Sequence, residues 1–85
     1  MTITKMTELY RKGAYSPINY YLGLLELIKK GADLDQTMKA VPDPLRKKMV
    51  GMARKHGGSR NEVGNLAEQV ITKRIIEWDE RETSR

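Results

Sequence analysis

The stretch S-P-I-N-Y-Y-L-G-L-L-E-L-I-K-K-G, residues 16–31, decides the fold. Ser16-Pro17 reads as a helix start. A serine side chain accepts a hydrogen bond from an early backbone N–H, and proline at the first helical position gives up an N–H that has no partner there in any case. Ile18, Tyr21, Leu22, Leu25 and Ile28 share one helical face, and Tyr20, Leu24 and Leu27 carry it far around the cylinder. A helix apolar over so much of its circumference is buried on two sides. This segment is therefore expected to be the centre of the molecule. Lys29 and Lys30 suit the negative end of the helix dipole, and Gly31 is the stop.

Working outward, every other segment also reads as helix. Ile3, Met6, Leu9 and Tyr10 fall on one face ahead of Gly13, predicting a first helix over 3–12. Asp33-Leu34-Asp35-Gln36 is a capping box for a short helix over 34–41, with Leu34, Met38 and Val41 inward and Pro42 ending it. Capping and the helix dipole explain the Asp33/Asp35 pair better than catalysis does. Asp43-Pro44 starts a fourth helix by the same logic as Ser16-Pro17. Its stripe is Leu45, Met49, Met52 and Ala53, and Gly57 is its expected stop. Ser59-Arg60-Asn61-Glu62 is a second capping box. It opens a fifth helix, 60 to about 81, with Val63, Leu66, Ala67, Val70, Ile71, Ile75 and Trp78 on one stripe. No strand pattern competes. The fold class is all-α: a small single-domain bundle of about five helices with short loops and a long C-terminal helix, spanning residues 1–81, with 82–85 fraying.

Composition narrows the function. The chain has 85 residues, enough for one domain, and neither Cys nor Phe. Without Cys there is no disulfide and no thiolate nucleophile or ligand, which fits an intracellular, reducing compartment. Residues 1–13 interleave charges with apolar residues, unlike a signal-peptide core. The most apolar run, Ile18–Ile28, is eleven residues and contains Glu26, where a membrane span needs about 20. Catalysis has little support. The single histidine, His56, lies beside Gly57 at a helix end, and Gly57-Gly58-Ser59 lacks the spacing and the lysine of a P-loop. We expect no enzyme, no cofactor, no metal, no membrane partner and no small-molecule substrate.

The formal charge is +5, unevenly spread. From Pro44 to Asn61 the chain carries Arg46, Lys47, Lys48, Arg54, Lys55 and Arg60 and no acid, whereas Glu77–Arg85 holds four acids and two arginines. A basic side and a more acidic end are expected. Such a basic side attracts phosphate backbones or acidic proteins.

Ala53, Gly57, Val63 and Leu66 form the skeleton of a helix-turn-helix: a small residue at the crossing, a glycine in the turn, and apolar residues that pack the second helix back on the first. Residues 49–68 thus resemble the helix-turn-helix DNA-binding motif. The resemblance implies that Ser59, Arg60, Asn61, Gly64, Asn65 and Glu68 face a major groove, and that Arg46, Lys47, Lys48, Arg54 and Lys55 hold phosphates. Gly58 and His56 depart from the motif, which has apolar residues on either side of the turn glycine. Two functions are carried forward. One is a small DNA-binding regulator that uses residues 45–68. The other is a helical protein-binding module, an adaptor or inhibitor that covers an acidic surface of a larger partner. Tyr10, Tyr15, Tyr20 and Tyr21 read as core closure more readily than as interface anchors. The fifth helix either spans the whole body, with Trp78 capping the core, or projects at its C-terminal end, where Ile75, Ile76 and Trp78 are the candidate homodimer contacts.

Overall fold

Two neighbouring tyrosines organise the molecule. The computed structural model describes residues 2–58 and 66–84. They form five helices: α1 (Ile3–Arg11), α2 (Pro17–Lys29), α3 (Leu34–Ala40), α4 (Asp43–Gly58) and α5 (Leu66–Thr83). On α2, Tyr20 and Tyr21 are both fully buried although they are adjacent and point about 100° apart around the axis. Tyr20 bonds the Thr7 hydroxyl on α1 at 2.9 Å, and Tyr21 bonds the Thr72 hydroxyl on α5 at 3.2 Å. Thr7 also donates to the Ile3 carbonyl at 2.9 Å, so the Tyr20 phenol donates into that chain. With Leu24, Leu25 and Ile28 buried beside them, α2 packs on all four other helices. The expected central helix is observed.

The core combines Met6 of α1, Leu34, Met38 and Val41 around α3, Leu45, Met49, Val50 and Ala53 of α4, and Ile71, Ile75 and Trp78 of α5. Two expectations about its faces are corrected. Ile18 and Leu22 lie more than half exposed, because the buried face of α2 centres on the tyrosines and turns these two outward. On α5, Val70 is exposed and Thr72 takes an inward place, its hydroxyl satisfied by Tyr21.

The helix ends are local chemistry, and most were legible. Ser16 accepts from the Asn19 N–H at 3.2 Å and the Asn19 side chain reaches back to the Ser16 N–H, a full capping box. Asp33 accepts from the Gln36 N–H at 2.9 Å, and Thr2 caps α1. Gly13 (φ +81°) and Gly31 (φ +109°) take the left-handed conformation. In each case the glycine N–H bonds the third residue back, and the next N–H bonds the fifth back: Gly13 to Tyr10 and Ala14 to Leu9, Gly31 to Ile28 and Ala32 to Leu27. These are Schellman closures of α1 and α2.

Three boundaries differ from expectation. Asp43 is already helical rather than a cap. The Pro42 carbonyl accepts the first α4 bond from Arg46 N–H (2.7 Å), and the Asp43 carboxylate pairs with the Arg46 guanidinium instead. Gly57 does not stop α4, which continues to Gly58, since a terminal turn tolerates glycine at about 1 kcal/mol. At the other end α5 runs through Glu82 to Thr83, and the Thr83 and Ser84 hydroxyls close on the Asp79 and Glu80 carbonyls. The described part of α5 is about 27 Å long, within a body of 33 × 31 × 22 Å.

Two outcomes are expected. Gly51 lies exposed in α4 with open space where a Cβ would be, whereas Gly31 holds a left-handed φ. Gly51→Ala should raise the unfolding free energy by up to about 1 kcal/mol and Gly31→Ala should lower it by about as much, measured by urea titration. Burial raises the Tyr20 and Tyr21 phenols above their ordinary value of 10.0, only partly offset by their threonine partners. The folded state therefore holds these protons more tightly than the unfolded one. Their stabilisation is complete below pH 10 and is lost as the pH climbs through the raised values. Urea melts across an alkaline series should show that loss, and the Tyr20→Phe/Tyr21→Phe variant should show a flatter alkaline limb.

Candidate functional site

The acid-free basic run becomes the solvent face of α4. Lys47, Lys48, Gly51, Arg54 and Lys55 are all exposed, and their i, i+1, i+4, i+7, i+8 spacing puts them on one side of the helix, opposite the buried Leu45–Met49–Ala53 stripe. The two kinds of cation there behave differently. Arg46 turns back over the α3–α4 corner. Its Nε donates to the Met38 carbonyl (2.9 Å), and its Nη2 donates to the carbonyls of Lys39 (3.2 Å) and Val41 (2.8 Å). Its Nη1 meets Asp43 at 2.8 Å. One planar guanidinium thus satisfies the exposed C-terminal carbonyls of α3. Arg54 reaches across to α5, where it bonds Asp79 at 3.0 Å and lies 4.0 Å from Glu80. Both arginines are engaged within the molecule, and Arg54 joins the expected basic side to the expected acidic end. Lys47, Lys48 and Lys55 have no partner among the described residues.

A feature that the sequence reading missed lies beside this face. The end of α1 and the start of α4 enclose a shallow cleft of about 120 Å³ lined by Tyr10, Arg11, Pro42, Pro44, Leu45 and Lys48. Tyr10 is held from behind, edge-on against Tyr20 with ring centroids 6.0 Å apart. The Arg11 and Lys48 side chains form part of the wall, and neither has an ion-pair partner among the described residues. Arg11 and Lys48 are 37 positions apart in sequence, so only the fold brings them together. The Arg11-Lys12 pair before Gly13 was the available signal.

The proposed reader residues Ser59, Arg60, Asn61 and Asn65 lie outside the described residues. Glu68, assigned to the same outward face, is half-buried. It lies with Ile71, Thr72 and Ile75 on one i, i+3, i+4, i+7 stripe of α5, and its charge acts on the Tyr21 phenol. That part of the face turns toward α2. Of the two placements open to the C-terminal helix, the described residues take the packed one rather than the projecting one. Ile75 and Trp78 are buried in the chain's own core, and Ile76 packs partly against it. Trp78 donates its indole N–H to Asp35 at 2.9 Å, while Lys39 holds the other oxygen of that carboxylate at 3.1 Å. Asp35 therefore ties α3 to α5.

Among the described residues no group of three or more His, Cys, Asp or Glu could hold a metal ion, and no helix is long and apolar enough to cross a membrane. Comparison with family models, curated proteins and solved structures found no match to this chain.

The different positions of the cations set opposite expectations. Arg46→Met should lower the unfolding free energy by about 1.5–3 kcal/mol, the range for hydrogen bonds to a charged group. Lys47→Met and Lys48→Met should each change it by no more than about 0.5 kcal/mol. Chemical denaturation of the three single variants checks both.

Proposed function

We propose that the protein is a non-enzymatic binding module, an adaptor or inhibitor, that covers an acidic surface of a larger protein partner with the outer face of α4 and the neighbouring end of α1. The observation that carries this reading is that Lys47, Lys48, Lys55 and Arg11, none of which has an ion-pair partner among the described residues, lie on the same side of the molecule as an apolar cleft. A phosphate backbone needs the cations alone. An apolar recess among them suits a protein surface, where a few anchoring side chains carry most of the binding and charges guide the encounter.

The arrangement gives less support to a groove reader. The two arginines of α4 that would grip phosphates bidentately are occupied by α3 carbonyls and by Asp79 and Glu80. Glu68 lies on the stripe that faces α2. Lysines, as strongly hydrated point charges, serve long-range attraction well and base reading poorly.

The test is a titration of the protein at physiological salt with poly-glutamate and, separately, with mixed-sequence duplex DNA. Poly-glutamate should bind, and the Lys47→Glu/Lys48→Glu/Lys55→Glu variant should lose that binding while its melting temperature stays close to that of the parent. Tight duplex binding that falls steeply with salt and depends on Arg60 and Asn61 would make the protein a DNA reader instead.

A further inference from the structure

The hollow beside Met6, Tyr15, Gly23 and Leu27 holds about 200 Å³, but Glu26 and Lys30 line it as an ion pair at 4.0 Å and leave it no net charge to select a ligand. The exposed Ile18 and Leu22 of α2 have nothing around them that says what would cover them. The cleft between α1 and α4 carries more. Its walls are one aromatic ring, two prolines and a leucine, and its two charges are both positive.

Size limits the occupant first. About 120 Å³ is close to the ~150 Å³ apolar cavity that holds a benzene molecule, and well below the roughly 300–1,000 Å³ of pockets that enclose a metabolite. One side chain fills it. Charge limits the occupant next. Arg11 and Lys48 lie in the wall, Lys12 follows Arg11, and Lys47 precedes Lys48, with no carboxylate lining the cleft. Whatever enters the recess brings negative charge to its edge. Rigidity is the third point. Arg46 clamps the corner from Met38 to Asp43 that supplies Pro42 and leads into Pro44, and Tyr20 backs Tyr10, so the recess is preformed.

We propose that this cleft is the anchor pocket for an acidic peptide segment of the partner: one apolar side chain, of leucine size, enters between Tyr10, Pro44 and Leu45, and flanking Asp or Glu carboxylates settle on Arg11 and Lys48. The proposal rests on the acidic-partner reading above and sharpens it to a segment with a single anchor. Lys47 and Lys55 then attract the segment without contacting the anchor, which gives them an effect on association rate and salt sensitivity more than on residence time.

The experiment uses the full chain, labelled with nitrogen-15, and three short synthetic peptides of Asp and Glu: one with a central Leu, one with a central Ala, and one with acids throughout. Amide shifts of Tyr10, Arg11, Leu45 and Lys48 should move and saturate with the Leu peptide. The Ala and all-acid peptides should bind at least about tenfold more weakly, because the anchor loses its burial. Arg11→Glu and Lys48→Glu, both at exposed positions, should remove binding of the Leu peptide without unfolding the protein. Equal affinity for the Leu and Ala peptides, or shifts confined to Lys47, Gly51 and Lys55, would overturn the pocket while leaving the acidic-surface reading standing. Failure of all three peptides, with or without duplex DNA binding in the same buffer, would overturn both.

Discussion

The burial of Tyr20 beside Tyr21 is the constraint on which the rest of the bundle depends. Adjacent residues on a helix point about 100° apart, so two fully buried rings in succession require walls on two sides of the same helix. Each ring also carries a hydroxyl that must not be left unpaired in the core. Thr7 meets one and Thr72 the other, which fixes where α1 and α5 lie along α2. α4 then closes the remaining side with Leu45, Met49 and Ala53. Ala53 is fully buried, in keeping with the small side chain needed where α4 meets its neighbours. None of the described buried side-chain polar atoms lacks a partner. A domain of this size has little surplus stability with which to bury one unpaired.

The same discipline governs the charges. A guanidinium offers five donors in a fixed plane, and on α4 it is used where several acceptors converge: the open carbonyls of α3 for Arg46, two carboxylates of α5 for Arg54. An ammonium on a flexible stem gains little from such a site and stays in water. The outer face of α4 is consequently lysine-rich by sorting. The arginines turn to partners at its edges, and the lysines stay exposed beside the recess whose corner Arg46 clamps.

Much of this was legible because it is local. Ser16, Asp33, Gly13 and Gly31 act on atoms within five residues, so their spelling alone identified the ends of α1, α2 and α3. The all-α class and the central place of residues 16–31 followed from periodicity. Legibility failed where a distant partner decides. Ile18 and Val70 fit the apolar pattern as well as their buried neighbours do. They end in solvent because Tyr20, Tyr21 and Thr72 claim the facing volume. The apolar stripe left two places open to Trp78, and Asp35, 43 positions away, holds it inward; the loss of Arg46 to the α3 carbonyls depends on the tight Val41–Pro42 corner. The cleft was hidden for the same reason: Tyr10 and Arg11 read as the end of one helix and Pro44 to Lys48 as the start of another. The reader residues at 59–65 lie outside the described residues, so the resemblance that motivated them remains one of spelling.

The absence of phenylalanine has a further consequence. Its place at the centre is taken by sulfur: Met6, Met38 and Met49 are each at most 1% exposed. Thioethers fill irregular volume well, but a sulfoxide is polar and chiral and has no place in that packing. Opening of the bundle exposes these sulfurs to peroxide, and once one is oxidised the closed state is weakened. The core therefore keeps a chemical record of its own openings, in which oxidant exposure and marginal stability act together.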